Sequence, residues 1–210
     1  MAKIEGIQAK LLKDYYVKTL SEKGYVFFDN NIPLNLNIIG VRSKNRSGDR
    51  YDDTMNIFYR DEDLNWVVDS YPITTDPGAR ILRKPINKKG TAILVPGQYR
   101  STYKVDIHGG STRYLAVCQR GGPVKVWRDV NRDSNLDMDD SSIEEGMFGI
   151  NMHKHGGPNE REFVNGSSAG CQVFKNTRDF YEFLELCNKS ADIYGNSFTY
   201  TLLEESDLMC

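Results

Sequence analysis

The feature that most restricts the fold of this chain is a series of short apolar runs separated by turn-forming residues. The runs are rich in β-branched and aromatic residues, and Asn, Asp, Gly and Pro separate them, a pattern that predicts strands. They span residues 25–28, 36–39, 55–59, 66–68, 92–95, 99–107, 113–118 and 124–127, with a further run at 198–203. Many short strands with few helices predict a mainly β domain, either a β-sandwich or a barrel-like core.

An N-terminal helix is predicted over residues 3–23. Apolar residues recur there at three- and four-residue spacing, and Gly24 is a suitable end; they are Ile4, Ile7, Leu11, Leu12 and Tyr15. We expect a helical segment, residues 1–24, packed on a main domain formed by residues 25–210. The alternative is that this helix docks a partner protein, such as a component of a virion.

A second helix is predicted after residue 176. Asn176 or Thr177 can cap its first turn, and Phe180, Phe183 and Cys187 follow at helical spacing. Cys187 is therefore expected in the core.

Composition excludes several classes of protein. The chain has 210 residues and a formal net charge of -2, with no basic stripe that would suggest nucleic-acid binding. No apolar run is long enough to predict a membrane span, and the N-terminus lacks the pattern of a signal peptide. Four scattered cysteines without a Cys-x-x-Cys pair argue against a zinc ribbon or a dense disulfide scaffold. A thiol-using protein made in a reducing compartment fits best.

A histidine-rich segment and a cysteine lie close together in the last third of the chain. Residues 153–157 read His-Lys-His-Gly-Gly, and residues 167–171 read Ser-Ser-Ala-Gly-Cys. A cysteine nucleophile needs a base, room for a carbonyl group and N–H donors for the developing oxyanion. This segment indicates that Cys171 is such a nucleophile. The alternative is a buried, inert cysteine after a glycine turn.

The stretch from His155-Gly156 to Ser168-Ala169-Gly170-Cys171 resembles the signature of the L,D-transpeptidase catalytic domain. His155 and Cys171 are 16 positions apart, and the order and identity of the residues also match the family pattern. The resemblance implies a β-sandwich that acts on the peptide stems of peptidoglycan through a thioester, with no cofactor. By position, Cys171 would be the nucleophile, His155 its base and the Gly156 backbone the group that orients the base.

The same resemblance assigns the turn at Ser168 and Gly170 to oxyanion and substrate binding. His153 is the rival base, because alternation along a strand over residues 149–155 gives it the same facing as Asn151 and His155. His153 would otherwise contact substrate.

Two other roles for the histidines stay open. His108, in a second His-Gly-Gly sequence, is expected to be structural, although it could line the same pocket. A zinc site from His153, His155 and Cys171 is a weaker alternative.

One departure from the family pattern concerns substrate binding. The family usually continues Cys-Ile-Arg, and its arginine helps to hold substrate, whereas here Gln172-Val173-Phe174 follows. A different acyl donor, hydrolysis instead of transfer, or lost activity could follow from this change.

Residues 129–140 are the second informative segment. Oxygen-bearing side chains occupy positions 1, 3, 5, 7, 9, 11 and 12 of this loop, and Ca²⁺ binds six to eight oxygens in flexible geometry. The segment resembles the calcium loop of dockerin repeats, with Ser134 in place of the usual glycine. We expect a structural Ca²⁺ held by Asp129, Asn131, Asp133, Asn135 and Asp140. The alternative is a solvated acidic loop.

Together these features predict a cysteine-dependent acyl transferase or hydrolase whose partner is peptidoglycan. A phage endolysin or a virion component would reach the cell wall without a signal peptide. The alternative hypothesis is a non-catalytic structural or virion protein on a transpeptidase-like fold, with a calcium-clipped loop.

Overall fold

A computed structural model describes residues 1–109, 113–157 and 159–209. The described ranges contain three α-helices, α1 Gly6–Glu22, α2 Ala79–Arg83 and α3 Thr177–Tyr194. Their strands are β1 Ala2–Glu5, β2 Asn37–Arg42, β3 Asp53–Arg60, β4 Trp66–Thr74, β5 Thr91–Leu94, β6 Gly97–His108, β7 Tyr114–Gln119, β8 Val124–Asp129, β9 Glu144–Gly146, β10 Met152–Lys154, β11 Gln172–Phe174 and β12 Phe198–Glu204. Short 3₁₀ turns follow at Asp140–Ser142 and Glu205–Leu208. Gly110 of the second His-Gly-Gly sequence and Cys210 lie outside the described residues.

Most strands belong to one large sheet. Its order is β1-β4-β11-β10-β7-β6-β12-β2-β3. A further pairing of β3 with β4 closes eight of these strands into a barrel-like ring, and β1 pairs with β4 outside that ring. β5, β8 and β9 form a separate three-stranded antiparallel sheet. The prediction of a mainly β fold with a helix near each end is confirmed.

The large sheet encloses the main hydrophobic core together with α3. Asn176 caps this helix as predicted, because its side-chain oxygen accepts the Arg178 N–H at 2.8 Å. Phe180, Phe183 and Cys187 are fully buried, and the Phe183 ring stacks on a β11 side chain with centroids 5.1 Å apart. The predicted apolar stripe of this helix is therefore confirmed.

The N-terminal segment differs from the predicted single helix. Ala2–Glu5 pair with β4 as a strand, and the helix begins only at Gly6. The face of α1 that packs on the sheet carries Ala9, Tyr16 and Leu20. Ile7 and Leu11 of the predicted stripe are exposed. Ile4, Leu12 and Tyr15 do pack against the same cluster, so the predicted stripe is confirmed in part. Strand β1, which sequence spacing does not reveal, fixes how the helix is rotated against the sheet.

Residues 25–28, predicted as a strand, have no strand partner in the described part of the chain. Side-chain amides replace that partner. Gln98 accepts the Val26 N–H at 2.9 Å and donates to the Val26 carbonyl at 2.8 Å, and Asn37 makes the equivalent pair of bonds to Phe28. The apolar side chains of the run still pack, since Phe27 contacts the cluster that α1 forms with the sheet through Ala9, Tyr16 and Leu20.

None of the described helices combines the length and apolar character that crossing a membrane requires.

Candidate active site

Two short parallel strands place the candidate nucleophile beside a histidine. β10 pairs with β11 in a register that matches His153 with Val173, and the Gln172 N–H donates to the Asn151 carbonyl at 2.9 Å. Neighbouring residues of paired strands point to the same face, and that face alternates along each strand. Cys171 therefore lies on the same face as Asn151 and His153.

The Cys171 thiol is half-buried and held by backbone groups. Its Sγ accepts the Asn151 N–H and donates to the Gly149 carbonyl, both at 3.4 Å. Burial raises the pKa of this thiol from an ordinary 9.0 to about 11, and the Asn151 N–H only partly offsets that effect. The group is therefore a neutral thiol near pH 7.

The turn before Cys171 is organised by Ser168. Its Oγ accepts the Gly170 N–H at 3.1 Å and donates to the Cys171 carbonyl at 2.8 Å, while its own carbonyl accepts the Gly78 N–H. Gly170 has a φ of +113°, and a Cβ there would lie 2.3 Å from the Ala92 carbonyl oxygen. The turn therefore requires glycine at position 170, and the Ser168 hydrogen bonds stabilise its conformation.

The Cys171 N–H remains available in this turn. It donates to no acceptor among the residues that the structure describes, and it lies on the nucleophile itself. A backbone N–H so placed is a suitable donor to an oxyanion formed by attack of Sγ.

His153 has the tautomer that a general base needs. Its Nδ1 lies 2.8 Å from the Lys154 carbonyl oxygen. A carbonyl can only accept, so Nδ1 carries the proton and Nε2 keeps a lone pair. Burial, together with the neighbouring His108, lowers the pKa of His153 to about 4. The imidazole is therefore neutral and able to accept a proton.

His155, the base that the family resemblance implies, has the opposite tautomer. Its Nδ1 accepts the Gly157 N–H at 2.9 Å, which places the proton on Nε2. That nitrogen is buried without a hydrogen-bond partner in the described part of the chain. The N–H that contacts His155 comes from Gly157, whereas Gly156 is exposed. The Nδ1 lone pair of His155 thus already accepts a hydrogen bond and is not free to take a proton from Cys171.

His108, expected to be structural, lies directly on the His153 ring. The two rings stack with centroids 4.3 Å apart, and the edge of Tyr114 contacts His108. The Asn151 side-chain oxygen accepts the Gln119 N–H at 2.8 Å. Its amide nitrogen therefore donates to His108 Nδ1 at 3.0 Å, so the proton of a neutral His108 is on Nε2. The Asn151 hydrogen bond orients the His108 ring, and stacking on His108 in turn restrains the plane of the His153 ring.

Gln119 is a site-building residue that the sequence analysis missed. Its buried side-chain oxygen accepts three consecutive N–H groups, those of Phe148, Gly149 and Ile150. Its amide nitrogen donates to the Gly146 carbonyl at 3.0 Å. These bonds fix the loop whose Gly149 carbonyl accepts the Cys171 thiol. No sequence signal marks a glutamine at a strand end for this role.

The residues after Cys171 face away from solvent. Gln172 is buried and accepts the Tyr200 hydroxyl at 2.8 Å. Val173, at the place where the family has its arginine, is buried against Tyr51 and Val164. The position that would carry the family's substrate-binding cation is thus part of an apolar cluster.

The predicted calcium ligands are distributed along an ordered loop. Asn131 and Asp133 each accept the backbone N–H two residues on, at 2.9 and 2.6 Å. Asp140 accepts the Trp127 ring N–H at 3.0 Å, Asn135 is exposed, and Asp129 is buried. In the described ranges no three His, Cys, Asp or Glu side chains are already arranged to hold a metal ion.

We expect Cys171 to resist alkylation at neutral pH. A pKa raised from 9.0 to about 11 lowers the thiolate fraction about 100-fold, and the thiolate is the reactive form. Iodoacetamide labelling should therefore accelerate from pH 7 to pH 11, measured by peptide mass spectrometry because the chain has four cysteines. The unfolded protein in denaturant is the control. Fast labelling of folded Cys171 at pH 7 would contradict a neutral thiol.

No protein-family model, curated protein or solved structure matches the chain. The likeness to L,D-transpeptidases therefore rests on the motif residues alone, and the geometry around Cys171 carries the functional argument.

Proposed function

We propose that this protein is a cysteine-dependent acyl transferase or hydrolase of peptidoglycan stem peptides, on a β-sandwich of the L,D-transpeptidase type. The observation that carries the proposal is the placement of a half-buried Cys171 on the same strand face as His153. The Nδ1 of that histidine is bonded to a carbonyl, so its Nε2 is left to accept a proton. The substrate class rests on the motif from His155-Gly156 to Ser168-Ala169-Gly170-Cys171.

In the proposed reaction the Cys171 proton moves to His153 Nε2 as Sγ forms a bond to a stem-peptide carbonyl carbon. The carbonyl electron pair moves to oxygen, where the Cys171 N–H stabilises it. Collapse of this intermediate breaks the carbon–nitrogen bond, and His153 returns the proton to the leaving amine. An incoming amine or water then breaks the thioester and restores the thiol.

The resting pair is neutral in this mechanism. With a thiol pKa of about 11 and a histidine pKa of about 4, a thiolate–imidazolium pair is not the ground state. Proton transfer must therefore accompany attack on the carbonyl, as it does for a serine nucleophile. His108 and the side-chain amide of Asn151 have a positioning role here, because His108 stacks on the His153 ring and the Asn151 amide holds His108.

A second candidate is the non-catalytic structural or virion protein. The observation that favours it is Val173, which buries an apolar side chain where the family places its substrate-binding arginine. This candidate predicts that Cys171 has no turnover.

Incubation of the purified protein with muropeptides separates these candidates. We expect cross-linked or shortened stem peptides by mass spectrometry, and a protein adduct on Cys171 that hydroxylamine removes, as it does a thioester. Cys171→Ala should abolish both products. Cys187→Ala is the matched control, since it removes a fully buried thiol from the core. Unchanged muropeptides with wild-type protein would favour the non-catalytic candidate.

A further inference from the structure

The carboxylate of Asp129 is a buried anion with an unused oxygen. Asp129 ends β8 and is 0% exposed. Its Oδ2 accepts the Asp137 N–H at 3.1 Å, but Oδ1 has no hydrogen-bond partner in the described ranges. A buried carboxylate oxygen is strongly destabilising unless a donor or a cation satisfies it. The Asp129 Oδ1 atom therefore needs a partner, and none of the described residues supplies one.

The surroundings of Asp129 are negative and unbalanced. Asp137 and Asp133 lie close enough for their charges to act on the Asp129 carboxylate. No ion pair between described residues includes any of these three aspartates. The nearby cations Lys89 and Arg128 are both paired with Glu144 instead. A bound cation would remove this repulsion.

We propose that Asp129 anchors a Ca²⁺ site completed by Asp133, Asp137 and the side-chain oxygen of Asn131. All four donors are hard oxygen ligands, which favour Ca²⁺ or Mg²⁺ over zinc or copper. A flexible loop with several carboxylates suits Ca²⁺, because Mg²⁺ demands near-ideal octahedral geometry and keeps its waters.

This ligand set differs from the one that the sequence predicted. Asp137, whose backbone already contacts Asp129, replaces Asp140, whose oxygen is held by the Trp127 ring N–H. Asn135 is no longer included. The carboxylates do not yet converge on one point. Asp133 is exposed and bonded only within the loop, so its side chain can turn toward Asp129 when the ion binds.

The ion would join two parts of the fold. The Ser134 carbonyl accepts the Gly48 N–H at 3.0 Å, and the Leu136 N–H donates to the Arg46 carbonyl at 2.8 Å. The loop therefore already contacts the connection between β2 and β3. A cation at Asp129 would fix this contact to the end of β8 and raise the stability of the whole chain.

Calorimetric titration of the full chain with Ca²⁺ tests the site. We expect one ion per chain, and a melting temperature about 5–10 °C higher when free Ca²⁺ is 100 times its dissociation constant. EDTA should reverse the shift, and Mg²⁺ should bind more weakly. No heat and no thermal shift with millimolar Ca²⁺ would overturn the proposal, and equal binding of Mg²⁺ would overturn the choice of ion.

Single substitutions locate the ligands. Asp129→Asn, Asp133→Asn and Asp137→Asn should each weaken Ca²⁺ binding at least tenfold, whereas Asp139→Asn, in the same loop, should bind as the wild type does. Asp133 is exposed, so its variant should fold even if Asp129→Asn does not. Wild-type affinity in Asp133→Asn and Asp137→Asn would exclude this ligand set. The measurement uses no turnover and is therefore independent of the cysteine chemistry.

Discussion

Replacing His153 by Asn is expected to lower turnover of stem peptides by about 100- to 10,000-fold, the usual contribution of a positioned general base. The Asn amide can still donate to the Lys154 carbonyl, as His153 Nδ1 does at 2.8 Å. The variant lacks the second ring nitrogen, whose lone pair accepts the Cys171 proton in the proposed mechanism. Single-turnover formation of the acyl-enzyme from purified muropeptides measures this effect directly.

His155→Asn is the matched control. Its side-chain oxygen can still accept the Gly157 N–H that His155 Nδ1 accepts at 2.9 Å. We expect turnover within about tenfold of the wild-type value, since the base in the proposed mechanism is His153. A larger loss in His155→Asn than in His153→Asn would restore the base that the family resemblance implies. Melting temperatures of both variants separate catalytic from structural effects.

Nitrogen NMR of the histidine rings provides a readout besides activity. We expect His153 to stay neutral, with its proton on Nδ1, from pH 8 to below pH 5, because burial lowers its pKa to about 4. The unfolded chain takes up this proton near pH 6.5. Stability from neutral His153 is therefore fully present above pH 6.5 and is lost as the pH falls toward 4. Titration of His153 near pH 6.5 would contradict its burial.

The sequence predicted the strands better than their arrangement. Alternating and β-branched runs reveal β3, β6 and β8, and the cap at Asn176 reveals α3, because these signals are local. The ring closure through β3 and β4, and the pairing of Ala2–Glu5 with β4, depend on contacts between residues distant in sequence. Spacing within one segment carries no information about such contacts.

The geometry around the candidate site depends on similar distant contacts. The motif predicts a nucleophile at Cys171, and alternation predicts Asn151, His153 and His155 on one face. The choice between His153 and His155 depends on which backbone group meets each Nδ1, a carbonyl in one and an N–H in the other. Which backbone group meets each histidine depends on the path of the chain at the end of β10, and the residue pattern does not predict that path.

The residues that support the site come from another part of the chain. His108 and Gln119 lie on β6 and β7, far in sequence from Cys171, and reach the site because β7 pairs with β10. Their roles follow from hydrogen bonds to Asn151 and to the loop before it. A buried glutamine or a stacked histidine has no recurring spacing that would identify it from sequence.

Arg42→Met is expected to cause a large loss of stability. Arg42 lies on β2 with 0% of its side chain exposed, 2.9 Å from Asp76 and 3.6 Å from Glu204. It also donates to the Thr75 hydroxyl at 3.0 Å. Removing one partner leaves buried carboxylates without compensation, which destabilises a protein by about 3–5 kcal/mol. Chemical denaturation measures the change in unfolding free energy.

The loss of stability in Arg42→Met should be larger at high pH than at low pH. Burial, with the negative charge of Asp76, already raises the pKa of Asp53 to about 7 in the presence of Arg42. A carboxyl whose pKa is raised on folding favours the folded state at low pH and opposes it as the pH rises through that value. Without Arg42, Asp53 and Asp76 should take up protons more readily. The defect should therefore be greatest above pH 7 and smaller near pH 5.

Arg46→Met is the control that separates burial from charge. Arg46 contacts the same Glu204, at 3.1 Å, but 47% of its side chain is exposed. An exposed pair contributes about 0–1 kcal/mol, so this variant should unfold at nearly the wild-type denaturant concentration. A similar loss in both variants would mean that pairing with Glu204, and not the buried cluster, is what stabilises the sheet. A large loss confined to Arg42→Met, shrinking as the pH falls, would establish Arg42 as the counter-charge of the buried aspartates.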